Sequence, residues 1–395
     1  MKIAAVRIRE LEGKLPTDGA FWEERLVRPI DIYQEFRTAG VPNWGGVQVD
    51  DHTLALKQWF VQIEASDGSY GIGGPLAFDP ARIVRSQIAP LLIGKDPLAT
   101  ELIWDQMHRN QPHGRQGESM LAVSGVDCAL WDMKARVLGQ PLWRILGGKT
   151  RDTMPAYASM LGFDVTDMGR VRDRALEFKD QGYAGQKWFL RHGPESGYEG
   201  LKLNVALVRT LRETLGDDYD IMIDCWQSLN LDYAVDYCSR IEEFRPRWIE
   251  EPFMADRIDS HVRLKSKTRI PLAGGEHEYT RWGMKRFIDA GALDVLQPDI
   301  YWCGGLSEAL KVTACATADD LIVVPHGHST PITIHYSLAQ SPIHTPYIEY
   351  LHKWNEIYMY FLTSPVRPKG GVVAPPEATA IVDLDPSKIT AETEW

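Results

Sequence analysis

Residues 221–226 read IMIDCW, an apolar run that closes on an acid, Asp224. Four runs downstream close on a polar residue in the same way: WIEEP (248–252) on Glu250, PLAGGEH (271–277) on Glu276, VLQPDI (295–300) on Asp299 and LIVVPHG (321–327) on His326. From 224 to 250, 250 to 276, 276 to 299 and 299 to 326 the gaps are 26, 26, 23 and 27 residues. One strand, one helix and their short loops take up a stretch of that length. A βα unit repeating at this spacing closes into a parallel barrel, with its chemistry at the C-terminal strand ends. The five polar residues therefore fall on one rim.

The same pattern extends to both sides. Strand candidates lie at 154–158, 183–188, 220–225, 247–251, 270–274, 293–298, 321–325 and 347–351, with helices between them such as 201–215, 230–243 and 304–318. Eight strands alternating with helices predict a (β/α)7β TIM-like barrel. The first third reads differently. Residues 2–9 and 57–65 alternate as strands, a Ser66-Asp67-Gly68 turn leads to a return strand at 69–73, and 80–93, 98–109 and 118–138 read as helices. The expected organisation is an α+β capping domain over 1–130, a barrel over 131–352 and a C-terminal segment, 353–395. That tail has several prolines and room for one short strand, and is expected to pack back on the cap. Residues 13–53 are too long and too weakly periodic for an ordinary connection, which suggests a lid that sets substrate identity.

The 395 residues suffice for a barrel and a second domain. A net charge of −11 argues against nucleic acid or an anionic membrane as partner, and no run of apolar residues reaches membrane-span length. Five cysteines without a CxxC, and an N-terminus MKIAAVRIRE lacking a signal sequence, fit a cytoplasmic protein with free thiols.

Asp224, Glu250 and Glu276 form an all-oxygen set. Carboxylates among buried strand residues are costly unless paired or metal-bound, and this set suits Mg²⁺. Glu251 alternates to the other side of its strand, where a salt bridge to the barrel wall is expected. Asp299 precedes His326 by one strand and can orient the imidazole as a general base. His326-Gly327-His328 also has the form of an HxH zinc pair, and His277 reads as a loop or supporting residue. Lys187, in GQKWFLRHG, is taken with His326 and Asp299 as catalytic, a cation that would bind a substrate carboxylate and support the charge developing on deprotonation; the alternative is a surface lysine. Phe189 follows two residues later on the same face and cannot act as a base. Glu349, in YIEYL, could hydrogen-bond the substrate or form an ordinary salt bridge. Arg25, Arg28, Arg37, His52, Trp22 and Trp44 on the 13–53 segment, and Trp302 near the dyad, complete the candidates for contact with a polyhydroxy anion. Of these, Arg28, His52 and Trp302 are taken with Glu349 as substrate-binding.

These residues, in this order, resemble the enolase superfamily, mandelate racemase subgroup, over essentially the whole chain. The resemblance implies Asp224, Glu250 and Glu276 as metal ligands and His326–Asp299 as the dyad. IDCW, WIEE, GGEH, QPDIYWCGG and LIVVPHG look most like the L-rhamnonate dehydratase type, although the 13–53 segment matches that type poorly. In racemases of the subgroup the second strand carries Lys-x-Lys, the second lysine being a base; here it reads Lys187-Trp188-Phe189, which implies one-base chemistry. The expectation is a Mg²⁺-dependent dehydratase of a small sugar acid, forming an enediolate and then a 2-keto-3-deoxy acid, in a homo-oligomer. An epimerase, racemase or cycloisomerase on the same scaffold is the first alternative. A non-catalytic sugar-acid-binding protein is the second.

Overall fold

A computed structural model describes residues 1–37, 40 and 45–395. Strand β1 runs over Ile3–Pro16, well beyond the 2–9 read from the sequence. Glycine hides the continuation: Gly13 takes an inward position where a side chain would meet the Tyr360 and Phe361 rings at 2.6 and 2.8 Å. β2 (Gly46–Asp50) and β3 (Thr53–Ala65) form a hairpin, and β4 (Tyr70–Leu76) pairs with the remainder of β3. β1 pairs antiparallel with β3 along its length. Residues 13–16 and 46–53 of the suspected lid thus belong to this sheet and its hairpin turn.

The helix Glu118–Leu138 lies across β4, running unbroken through residue 130. Contact is closest at two glycines, Gly71 and Gly73. A methyl group on Gly71 would stand 2.2 Å from the Ala129 carbonyl oxygen and 2.5 Å from the Met133 nitrogen. Both are helix backbone and cannot rotate away. Gly71→Ala is expected to cost about 1–3 kcal/mol by overpacking, read as a lower urea midpoint. An unchanged midpoint would mean that the helix can slide on the sheet.

Eight parallel strands follow: β5 (Met154–Ser159), β6 (Gly185–Phe189), β7 (Asp220–Asp224), β8 (Trp248–Glu250), β9 (Leu272–Gly274), β10 (Val295–Leu296), β11 (Ile322–Val323) and β12 (Ile348–Leu351). They pair in chain order from β5 to β11, and β12 pairs with β5. All eight fall where the repeat predicted, with seven helices between them, which makes a (β/α)7β barrel. The β11–β12 seam is bridged by Val323 N donating to His344 O at 2.7 Å and by Gly327 N donating to Glu349 Oε2 at 2.8 Å. Two short strands occupy the tail where one was expected. β13 (Val372–Val373) joins β5, and β14 (Ala391–Glu394) joins β1. The first spans only two residues, too few to show alternation. The second is tied to the cap by Arg9 Nε–Glu392 at 2.6 Å and an Arg7–Glu394 pair.

Residues 20–28 cross the barrel's C-terminal rim. Glu23 N donates to Gly162 O and Val27 N to Leu190 O, both at 2.8 Å; Ser228 Oγ donates to Val27 O at 3.1 Å. Glu23 pairs with Lys353 at 3.0 Å, and Glu24 with Arg191 at 3.1 Å. This part of the long connection is therefore docked on the ends of β5, β6 and β7. No helix of the described residues is long and apolar enough to cross a membrane.

Candidate active site

Register aligns the first functional side chains. Phe189 pairs with Asp224, and Asp224 with Glu250; Lys187 lies two residues before Phe189, opposite Met222, and its long side chain reaches up to the acids on the two neighbouring strands. Lys187 is fully buried rather than superficial. Its ammonium lies 3.0 Å from Asp224 Oδ2 and 2.8 Å from Glu349 Oε1, and also pairs with Glu250. It stands 5.4 Å from the Phe189 ring centroid. Glu250 Oε2 accepts from Trp248 Nε1 at 3.0 Å and Gln297 Nε2 at 2.7 Å. Motif reading did not identify these two donors, because a buried Trp and Gln look like any other strand residues.

Glu276 lies on the other side of the centre. Its Oε2 is buried without a hydrogen-bond partner and stands 3.5 Å from His326 Nε2. His326 Nδ1 is 2.8 Å from Asp299 Oδ2, so the dyad read from the sequence is in contact. Trp302 packs its ring 5.0 Å from that of His326 and 5.4 Å from that of His277. Glu251 does turn away from Lys187, but its partner is the next loop and not the barrel wall: Oε2 is 2.7 Å from His277 Nδ1. Glu251, Glu276 and His277 bring three ligand-capable atoms within 4.8 Å of one another. Among the described residues this is the group brought that close, and it shares only Glu276 with the trio read from the sequence. His328 joins no such group among the described residues. It sits in a box of Trp302, Trp354 and Tyr358, with ring centroids 5.0, 5.0 and 4.9 Å away, and burial pushes it down to about 4. A cavity of about 390 Å³ adjoins His328 and Trp302 where the cap meets the rim.

The electrostatics are lopsided. Asp224, Glu250, Glu251, Glu276, Asp299 and Glu349 are all buried here, and Lys187 is the one side chain among them with a permanent positive charge. Burial pushes Asp224 up to about 6, Glu276 to about 7 and Glu250 to about 8, against a partial pull downward from Lys187 or His326. Glu349 is held below the usual carboxylate range, because Lys187 and His326 outweigh its burial. Burial alone would lower His326, but Glu276, the bond to Asp299 and Glu349 outweigh it and lift it to about 10. Backbone strain marks the same rim: Trp226, Gln227 and Glu251 adopt φ of 40°, 64° and 38° immediately after the strands that carry Asp224 and Glu250.

The lid candidates are less concentrated. Arg25 is buried against Asp31, and Arg28 Nη2 lies 3.4 Å from the same carboxylate. Arg37 donates to the Asp31 and Ile32 carbonyls. His52 is exposed on the β2–β3 turn, where its backbone N donates to Asp50 Oδ1. Trp22 is buried, its ring lying 2.2 Å from where a side chain on Gly162 would begin. Trp44 falls outside the described residues. The structure thus gathers Lys187, Glu349, Trp302, the dyad and the three acids in one centre. It leaves Arg28 and His52 without a contact to that centre among the described residues.

Residues 46–147 match the family described as mandelate racemase / muconate lactonizing enzyme, N-terminal domain, and residues 170–379 match the enolase C-terminal domain-like family. A relative described as L-rhamnonate dehydratase, from Saccharopolyspora erythraea, is 34% identical over 333 residues, 83% of this chain and 80% of its own. The crystal structure of rhamnonate dehydratase from Gibberella zeae complexed with Mg superposes with a TM-score of 0.83 at 28% identity, covering 98% of this chain and 95% of the other. The 3,6-anhydro-D-galactonate cycloisomerase from Zobellia galactanivorans superposes at 0.77 and 26% identity, covering 98% of each chain. With both domains matched in order and the barrel strands at the expected positions, the chain belongs to the enolase superfamily.

Proposed function

We propose that this protein is a Mg²⁺-dependent acid-sugar dehydratase acting on an aldonate of the L-rhamnonate type. The observation that carries the reading is the pairing of one oriented imidazole, His326 on Asp299, with an acid-rich centre whose second-strand position is Phe189. The relative from S. erythraea and the G. zeae structure support the reaction and the substrate class.

Asp224, Glu250 and Glu276 would hold the ion. The fit rests on the surplus of buried carboxylates over Lys187 and on the orphaned Glu276 Oε2, and an all-oxygen donor set suits a hard cation. When bound, Mg²⁺ would act as a Lewis acid on the substrate carboxylate and stabilise the charge that develops as the α-proton leaves. Lys187 adds a fixed positive charge to the same face. Its three carboxylate partners hold its pKa well above the ordinary value, so it remains an ammonium and not a base. Asp299 accepts from His326 Nδ1–H, which leaves the Nε2 lone pair free to take the proton from C2. With Glu276 engaged as a ligand, His326 would lose its main upward pull and its pKa would fall toward working pH. The imidazolium then returns its proton to the departing 3-hydroxyl, which leaves as water. The resulting enol takes a solvent proton at C3 and becomes a 2-keto-3-deoxy acid.

The pH dependence of metal stabilisation follows from the carboxyls. Asp224, Glu250 and Glu276 have higher pKa values folded than unfolded, so the folded metal-free protein binds more protons. The contribution of these three carboxyls to stability is therefore fully present below the unfolded carboxylate range and is lost as pH rises through their folded values. We expect the metal-free melting temperature to fall from about pH 5 to about pH 8 and the Mg²⁺-induced rise to grow over the same window. A Mg²⁺-induced shift independent of pH would count against these ligands.

A screen of C5 and C6 aldonates and aldarates with Mg²⁺, read as the semicarbazone of a 2-keto acid, tests the reaction. Product from L-rhamnonate or a stereoisomer supports it. A blank library, with the fold intact, overturns the dehydratase reading.

A further inference from the structure

A second cavity shares no side chain with this centre. It measures about 1000 Å³ and opens where the cap helix Thr100–Asn110, the loop 111–117 and the barrel helix Thr280–Asp289 meet. Four guanidinium side chains line it, those of Arg109, Arg115, Arg281 and Arg286, together with His113 and the half-exposed Trp282. Asp105 is the one carboxylate in the lining, and it is committed to Arg109 at 2.7 Å. Arg281 is fixed by the buried Glu308 at 3.3 Å and lies 4.3 Å from the Trp282 ring centroid. Arg115 and Arg286 are exposed, and neither has a carboxylate within salt-bridge distance among the described residues. In a chain of net charge −11 this is a local excess of positive charge.

Stacked rings form the floor beneath the arginines. His108 is sandwiched between Trp104 and Trp282, with centroids 5.0 and 4.9 Å away and planes within 15° and 18° of its own. The helix N-terminus contributes little, because the Thr280 and Arg281 nitrogens already donate to Cys303 O and Glu308 Oε2. An anion here would therefore be read by guanidinium forks, which match planar carboxylate and tetrahedral phosphate oxygens in pairs. Cavities of about 300–1000 Å³ take small molecules, and the chain's net charge of −11 disfavours a long polyanion.

We propose that this cleft is a binding site for a small multivalent anion, a compound bearing two or more carboxylate or phosphate groups, separate from the aldonate site. Its outer wall begins at Tyr279, three residues beyond Glu276, so it sits beside the reaction centre without sharing a side chain with it.

The test uses the intact protein in excess Mg²⁺ with tricarballylate, a weak chelator, and inorganic phosphate as probes, titrated calorimetrically at constant ionic strength. The comparison is with the double variant Arg115→Ala/Arg286→Ala, whose exposed positions leave folding intact. The expected result is one saturable site per chain for at least one probe, weakened about tenfold or more in the variant. The Michaelis constant for the aldonate should stay within about twofold, since neither arginine touches the reaction centre. Equal binding by both proteins overturns the proposal, as does competition between the probe and the aldonate. Loss of oligomer in the variant without any probe binding also overturns it and assigns the cleft to contact with a second copy of this chain.

Discussion

Replacing His326 by Asn is expected to lower kcat about 10²–10⁴-fold, the range general-base catalysis supplies. The amide keeps a polar group beside Asp299 but has no lone pair of comparable basicity to take the proton from C2. The 2.8 Å contact with Asp299 and the tilted packing of Trp302 at 5.0 Å are local, so the fold and the carboxylate centre should persist. Steady-state kinetics, together with Mg²⁺ titration of the variant, check this. Asn at 326 with near-wild-type turnover and unchanged metal affinity would remove His326 from the base role. Turnover lost together with metal affinity would mean that His326 supports the ion instead of the proton.

The second large effect concerns stability. Lys187→Met removes the ammonium shared by Asp224, Glu250 and Glu349 and leaves three buried carboxylates facing a thioether. Breaking a buried ion pair by deleting one partner costs about 3–5 kcal/mol, because the other charge is left uncompensated. In EDTA the variant should unfold at much lower urea than the wild type. Mg²⁺ should return part of the difference, since an ion on Asp224 and Glu250 replaces the missing charge. On the proposed mechanism turnover should remain low even with metal, because Lys187 would supply the fixed positive charge beside the developing enediolate. Equal urea midpoints for variant and wild type in EDTA would show that these acids are protonated in the folded state and need no counter-charge.

Much of this architecture was legible because it depends on spacing. Parallel strands need crossover helices, so the five polar run-ends had to recur at βα intervals, and the eight strands followed from them. The dyad was legible for the same reason, with Asp299 and His326 one unit apart. What escaped was whatever depends on contacts between distant segments. Gly13 interrupted an alternation that the Tyr360 and Phe361 rings complete in space. Val372-Val373 was too short to be read as a strand. Glu251 was read as pairing with the barrel wall, but its partner His277 lies on another loop, beside Glu276. Trp248 and Gln297 orient Glu250 through donors that no motif distinguishes. The lid was read as a single functional stretch, yet its ends are sheet, its 20–28 portion is docked on the rim, and His52 sits on an exposed turn.

One measurement tests the one-base dehydration most directly: NMR of L-rhamnonate incubated with the protein and Mg²⁺ in D₂O. The expected result is a 2-keto-3-deoxy acid carrying a single deuterium at C3. Recovered aldonate deuterated at C2 with inverted configuration, and no keto acid, would contradict it and favour epimerisation on the same scaffold.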